Sequence, residues 1–190
     1  MGKVDNKALK KEILTDGILN WSVSKFYLRK FLLNKHIIFD ENKVVGEDLF
    51  FVNSVVNNAD NILYIPEIAY VYLNSDATGI SRNIKYPSQV LTDTYEVYRL
   101  RLNISRILNV SDTQIQTKFS NEAIDNIYAI YKDWVVNGAN ISKELRNRLV
   151  YIAKEIKSNE KIELKEYIKY FIIRDNRSKI VKIINFIGNK

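Results

Sequence analysis

Residues 119–136, "FSNEAIDNIYAIYKDWVV", carry a helical pattern with no glycine or proline to interrupt it. Three other stretches read the same way: "VLTDTYEVYRLRLNISRIL" from 90, "SKELRNRLVYIAKEIK" from 142 and "LKEYIKYFIIRDNRSKIVKIINFI" from 164. Together they predict four helices in a C-terminal bundle over residues 87–190. The last shows Ile180, Val181, Ile183, Ile184 and Ile187 on one face, with Lys179, Lys182 and Lys190 nearby. That basic amphipathic pattern suits packing in a bundle, and it also suits lying on an anionic membrane surface.

Before residue 87 the pattern is mixed. Residues 1–19 contain a short basic lead-in helix, expected over 3–14. Val23, Phe26, Tyr27, Lys30 and Phe31 recur at spacings of three and four and predict a helix over 22–34. "HIIFDENKVV", from 36, is a connecting strand or loop. After Gly46, the residues Val52, Val55, Val56 and Ala59 recur at helical spacing and predict a helix over 47–59, opened by Glu47 and Asp48. "NILYIPEIAYVYLN", from 61, is apolar on both parities around Pro66 and Glu67 and reads as two short buried strands or one bent strand. "NSDATGISRN" is a loop. The expected fold is therefore α+β and mainly helical.

The bulk composition agrees with a folded chain. Of 190 residues, 46% are hydrophobic and 27% charged, too apolar for a disordered protein. Lys and Arg number 29 against 22 acids, a formal charge of +7 that favours anionic partners without choosing among them. The absence of cysteine excludes disulfides, thiolate catalysis and thiol-ligated zinc. The single histidine, His36, is read as a surface or loop residue and not as a metal ligand. The basic residues are interspersed with acids and match no nucleic-acid-binding motif, so no nucleic-acid partner is expected. No apolar run approaches the roughly 18–20 residues of a membrane span. The chain is expected to be cytoplasmic, with the inner membrane face as a peripheral site.

Two acids in the first turn of a helix have a simple structural role, because they interact favourably with the helix dipole by about 0.3–1 kcal/mol. Their surroundings add a second reading. Trp21, Lys25, Phe26, Tyr27 and Arg29 are followed in order by Ile37, Phe39 and Glu41, then by Glu47, Asp48, Leu49 and Phe51. Ala59, the run Ile62 to Ile65, Tyr70, Tyr72 and Ser81 follow. This series, over about residues 20–85, resembles the C-terminal half of the catalytic domain of bacterial family-two glycosyltransferases, which have the nucleotide-diphosphosugar (GT-A) fold.

The resemblance implies that 20–86 is the acceptor and catalytic-base segment of a partial GT-A domain, followed by a helical extension over 87–190. It assigns Asp48 as general base and Glu47 as a positioning acid. It places Trp21 and Tyr27 as aromatic surface for a sugar and Lys25 beside the acids or a phosphate. It implies a nucleotide-diphosphate sugar as donor, a glycan or lipid-linked acceptor, and a role in bacterial surface polysaccharide synthesis. The family's first half holds Mn²⁺ or Mg²⁺ on an Asp-x-Asp motif. These residues contain no Asp-x-Asp, so the chain is expected to be a C-terminal fragment, with no cation bound to it alone and little transfer on its own. The competing expectation is a non-catalytic helical interaction or peripheral-membrane docking module.

Overall fold

The stripe that begins at Phe119 forms the helix around which the C-terminal part of the chain is organised. In the computed structural model, which describes residues 2–3, 7–15, 17–64, 87–110, 112–137, 141–159 and 162–188, the architecture is mainly helical. The elements are β1 (Gly2–Lys3), α1 (Lys7–Thr15), a 3-10 turn (Ile18–Asn20), α2 (Arg29–Asn34), α3 (Glu47–Asn58), β2 (Leu63–Tyr64), α4 (Pro87–Ile107), α5 (Thr113–Val136), α6 (Lys143–Asn159), α7 (Leu164–Arg174) and α8 (Ser178–Gly188). They fall into two compact units. The first comprises Met1–Lys85 and Arg99–Asp112, the second Tyr86–Tyr98 and Thr113–Lys190, so α4 contributes to both.

In the second unit α5 buries Ile115, Phe119, Ala123, Ile124, Ile127, Ile130, Tyr131 and Trp134 at spacings of three and four. Helices α6, α7 and α8 all pack on α5, and α7 also packs on α6 and α8. Leu149, Ile152, Ala153 and Ile156 of α6 and Tyr170, Ile172 and Ile173 of α7 complete the apolar interior. A polar contact lies within it: the hydroxyls of Tyr98 and Ser120 are 3.3 Å apart and both residues are buried. Burial of both hydroxyls is tolerable because each finds a partner.

Among the described residues the bundle contains five helices where the sequence pattern predicts four. The stretch from 164 to 187 breaks between α7 and α8. There Asn176 takes a left-handed φ of 50°, its N–H bonds to the Ile173 carbonyl, and the Arg177 N–H reaches back to Ile172 at 3.0 Å. These paired bonds satisfy carbonyls that the end of a helix otherwise leaves open. Asn adopts the left-handed region more readily than most residues, so Asn176 ends the helix where the apolar stripe shows no break. The same pattern ends α2 at His36 (φ 52°) and α4 at Asn109 (φ 55°). His36 is thus an exposed helix-terminating residue.

In the first unit Leu49, Phe51, Val52 and Val56 of α3 are buried, as are Ile13, Leu14, Leu19, Ile37, Ile104, Leu108 and Val110. The Asn103 amide donates to the side-chain oxygens of Asn53, at 3.3 Å, and Asn57, at 3.4 Å, fixing α3 against the end of α4. Gly46 caps α3 with φ 76°, a left-handed conformation that costs a non-glycine residue roughly 1–2 kcal/mol. β1 and β2 pair antiparallel, Gly2 opposite Tyr64 and Lys3 opposite Leu63.

Two expectations need correction here, and a third, the strand or loop over 36–45, resolves to its loop alternative. The lead-in helix starts at Lys7 and runs to Thr15, because Gly2 and Lys3 pair with β2. The helix expected over 22–34 forms only from Arg29 to Asn34. The stretch 36–45 contains no strand: Asp40 accepts hydrogen bonds from the Asn42 backbone and side chain in a tight turn. The expected strands beyond Tyr64, the loop over 74–83, and Tyr70, Tyr72 and Ser81 lie outside the described residues.

Candidate acceptor site around Asp48

Residues 21–28 are irregular because tertiary contacts outweigh the helical spacing of their apolar residues. Val23 and Phe26, expected on the buried stripe, are 37% and 88% exposed. Ser24 adopts a left-handed φ of 61°. The Lys25 ammonium donates to the carbonyls of Ile18 at 2.6 Å, Trp21, and Val23 at 3.2 Å. All three of its N–H donors are thereby matched, and the loop is wrapped around the ammonium. The lysine expected beside the acids or a phosphate organises the loop and lies near enough to Asp48 to feel its charge.

The wrapped loop presents Ser22 to α3. Ser22 Oγ donates to Asp48 Oδ1, a bond that spans 26 positions of sequence. Tyr27 Oη donates to the Ser22 carbonyl at 3.0 Å, holding the same residue from its backbone. The Tyr27 ring meets Phe51 edge-on at 5.2 Å, and Phe39 stacks on Phe51 at 4.3 Å with the rings nearly parallel. Edge-to-face and offset-stacked ring pairs add packing energy beyond the area they bury. Phe39 and Phe51, singled out in the sequence as scattered members of one series, thus adjoin in space.

The electrostatics centre on the Asp48 carboxylate. Burial pushes the Tyr27 phenol up to about 12, and the negative charge of Asp48 adds to the effect. Burial lowers the Lys25 ammonium below the ordinary lysine value, with the charge of Asp48 opposing the change. Asp48 is half-buried at the first turn of α3, while Glu47 beside it is exposed. Among the described residues, Asp48 Oδ1 is held by Ser22 and Oδ2 has no side-chain hydrogen bond. One oxygen is fixed and the other can accept a proton or a hydrogen bond. Trp21, next to Ser22 in the chain, is 60% exposed.

Sequence reasoning missed Ser22. Its hydroxyl lies between Trp21 and Val23 with no spacing that distinguishes it from other serines, and only folding onto α3 reveals its partner. The raised Tyr27 value has a measurable consequence. The phenol is harder to ionise in the folded protein than in the unfolded chain, so its stabilising contribution is complete below about pH 10 and is lost as the pH rises toward about 12. Urea unfolding of the native protein and Tyr27→Phe as a function of pH is expected to show a steeper loss for the native protein across that window.

Among the described residues no group of three or more His, Asp or Glu side chains is arranged to hold a metal ion. The chain also lacks an Asp-x-Asp sequence. No protein-family model, curated protein or solved structure matches the chain.

Proposed function

We propose that residues 20–86 form the acceptor side and catalytic-base site of an inverting glycosyltransferase of the GT-A kind, with 87–190 as a helical extension. The observation that carries this reading is the convergence of two elements of the sequence resemblance, the Trp21–Tyr27 loop and the Glu47–Asp48 pair, through the Ser22–Asp48 hydrogen bond. A structural acid at a helix terminus needs no such partner from a distant loop. A base that must meet a substrate hydroxyl needs its carboxylate oriented, and Ser22 and Tyr27 provide that orientation.

In the proposed reaction, the acceptor hydroxyl hydrogen-bonds to Asp48 Oδ2 and its oxygen attacks the anomeric carbon of the donor sugar. The new carbon–oxygen bond forms as the bond to the nucleoside diphosphate breaks. The leaving group keeps the electron pair, the proton passes to Asp48, and the configuration inverts. Trp21 supplies a flat apolar surface for a sugar ring, Lys25 and Tyr27 hold the loop that carries it, and exposed Glu47 accepts a further acceptor hydroxyl. The nucleotide sugar and its cation fall to a donor-binding half that these residues do not contain. The product is a bacterial surface polysaccharide. The test is the variant Asp48→Asn, whose transfer rate separates a base from a structural acid.

A further inference from the structure

Among the described residues no helix is long and apolar enough to cross a membrane, yet α8 turns most of its apolar side chains outward. Val181 is fully buried against the bundle, whereas Ile180 is 37% exposed, Ile183 58%, Ile184 47%, Phe186 64% and Ile187 66%. At 100° per residue these five occupy one arc of about 160°, and Val181, expected on the same face, falls outside it and is buried. Val181 anchors α8 where it packs on α5 and α7, and Ile180 and Ile184 are only partly covered there. The outward arc is continuous, and its most exposed members are Ile183, Phe186 and Ile187.

The charge around this face is one-sided. Lys179 and Lys182 lie along the edge of the arc that ends at Phe186, and α8 contains no acid. Residues 174–190 hold five basic side chains and one acid, Asp175. Asp175 pairs with Arg174 at 2.7 Å and Arg177 at 3.5 Å, so it neutralises one of these two cations and leaves the other charges of the stretch in excess. Both guanidinium groups sit over the Phe171 ring, at 3.9 and 5.6 Å, which keeps them at the α7–α8 junction. In the same unit, a shallow cleft between α6 and α7 is lined by Arg146, Asn147, Val150, Tyr151, Lys154 and Arg174, three of them basic and none acidic.

We propose that α8 is an interfacial helix that lies in the plane of a bilayer containing anionic phospholipids. Its Ile and Phe side chains enter the acyl boundary, while Lys179 and Lys182 extend to the phosphate layer. An eleven-residue helix is too short to span a bilayer but long enough to lie along its surface. An apolar protein groove would satisfy the isoleucines but leaves the one-sided positive charge without a role. A surface rich in phospholipid phosphates answers both features. This inference is independent of the role assigned to Asp48.

The experiment is co-sedimentation of the full chain with vesicles of phosphatidylglycerol and phosphatidylcholine, compared with phosphatidylcholine alone. The expected result is binding to the anionic vesicles that weakens with added salt. Ile183→Ser/Ile187→Ser changes only exposed side chains, so its melting temperature should match that of the native protein while vesicle partitioning falls about tenfold or more. Lys179→Glu/Lys182→Glu should lower partitioning onto anionic vesicles by a similar factor. Absence of vesicle binding by the native chain overturns the proposal, and so does binding that the isoleucine variant leaves unchanged. A lipid-free dimer that the isoleucine variant splits would assign the face to a second copy of the chain and would also overturn it.

Discussion

Asp48→Asn, made in an enzyme that joins this segment to a nucleotide-sugar-binding half, is expected to lower the rate of sugar transfer by about 10²- to 10⁴-fold, the usual contribution of a positioned general base. That loss corresponds to roughly 2.7–5.4 kcal/mol of transition-state free energy. The substitution preserves shape, and the Asn carbonyl can still accept the Ser22 hydrogen bond, so folding and donor binding should change little. What is lost is the capacity of the second oxygen to take a proton. If Asp48 acts only as a first-turn acid, the same change costs about 0.3–1 kcal/mol of stability and leaves turnover untouched. Parallel measurement of turnover, donor affinity and unfolding midpoint distinguishes these outcomes. Ser22→Ala should give a smaller fall in rate with the acceptor hydroxyl less well oriented, because it frees the carboxylate without removing it.

The largest expected loss of stability arises at Lys169, in the second unit. Its ammonium pairs with Asp125 of α5 and lies 3.4 Å from Glu166 Oε1 on its own helix. Glu166 is only 4% exposed, and its Oε2 has no hydrogen-bond partner. A buried carboxylate in this position depends on the neighbouring cation. Lys169→Met therefore strands Glu166 and should destabilise the protein by about 2–3 kcal/mol, below the cost for fully enclosed pairs because Asp125 is 42% exposed. Adding Glu166→Leu should restore much of the loss, since removing both charges leaves apolar packing in place of an unpaired ion. Chemical denaturation of the two single variants and the double variant measures this coupling.

The same group predicts a pH dependence. Burial opposes the Lys169 charge, but hydrogen bonding to Asp125 and the charges of Asp125 and Glu166 outweigh it and raise its value above that of an ordinary lysine. The ammonium's contribution is complete below the ordinary lysine range and is lost as the pH rises through the raised value. Lys169→Met should lose that alkaline component of the native stability curve.

How much of this was legible in the sequence varies by region. The helices of the second unit follow directly from spacing: Phe119, Ala123, Ile127, Ile130 and Trp134 are all buried along α5, as an uninterrupted stripe dictates. The break before α8 was not, because Asn176 ends a helix by adopting a left-handed conformation that no hydrophobic pattern encodes. The start of α3 at Glu47 was legible from Gly46 and the two acids. The loop at 21–28 was not, because Val23, Phe26 and Tyr27 have helical spacing that the Lys25 and Ser22 contacts override. The Ser22–Asp48 contact joins distant parts of the chain and the Lys25 contacts bind carbonyls of nearby residues, and the hydrophobic pattern is silent about both. Tyr27, Phe39 and Phe51 meet in one aromatic cluster, a juxtaposition that their order in the chain did not predict. The face of α8 was legible as amphipathic, but only the fold distinguishes its buried valine from its exposed isoleucines.

The central claim is that the surface around Asp48 receives a sugar acceptor, and amide and indole chemical-shift mapping with a panel of methyl glycosides tests it most directly. The expected result is saturable shifts confined to the Trp21 indole, the 21–27 loop and the first turn of α3, weakened by Trp21→Ala. Shifts absent from these positions across the panel, or clustered on other elements of the chain, would contradict it.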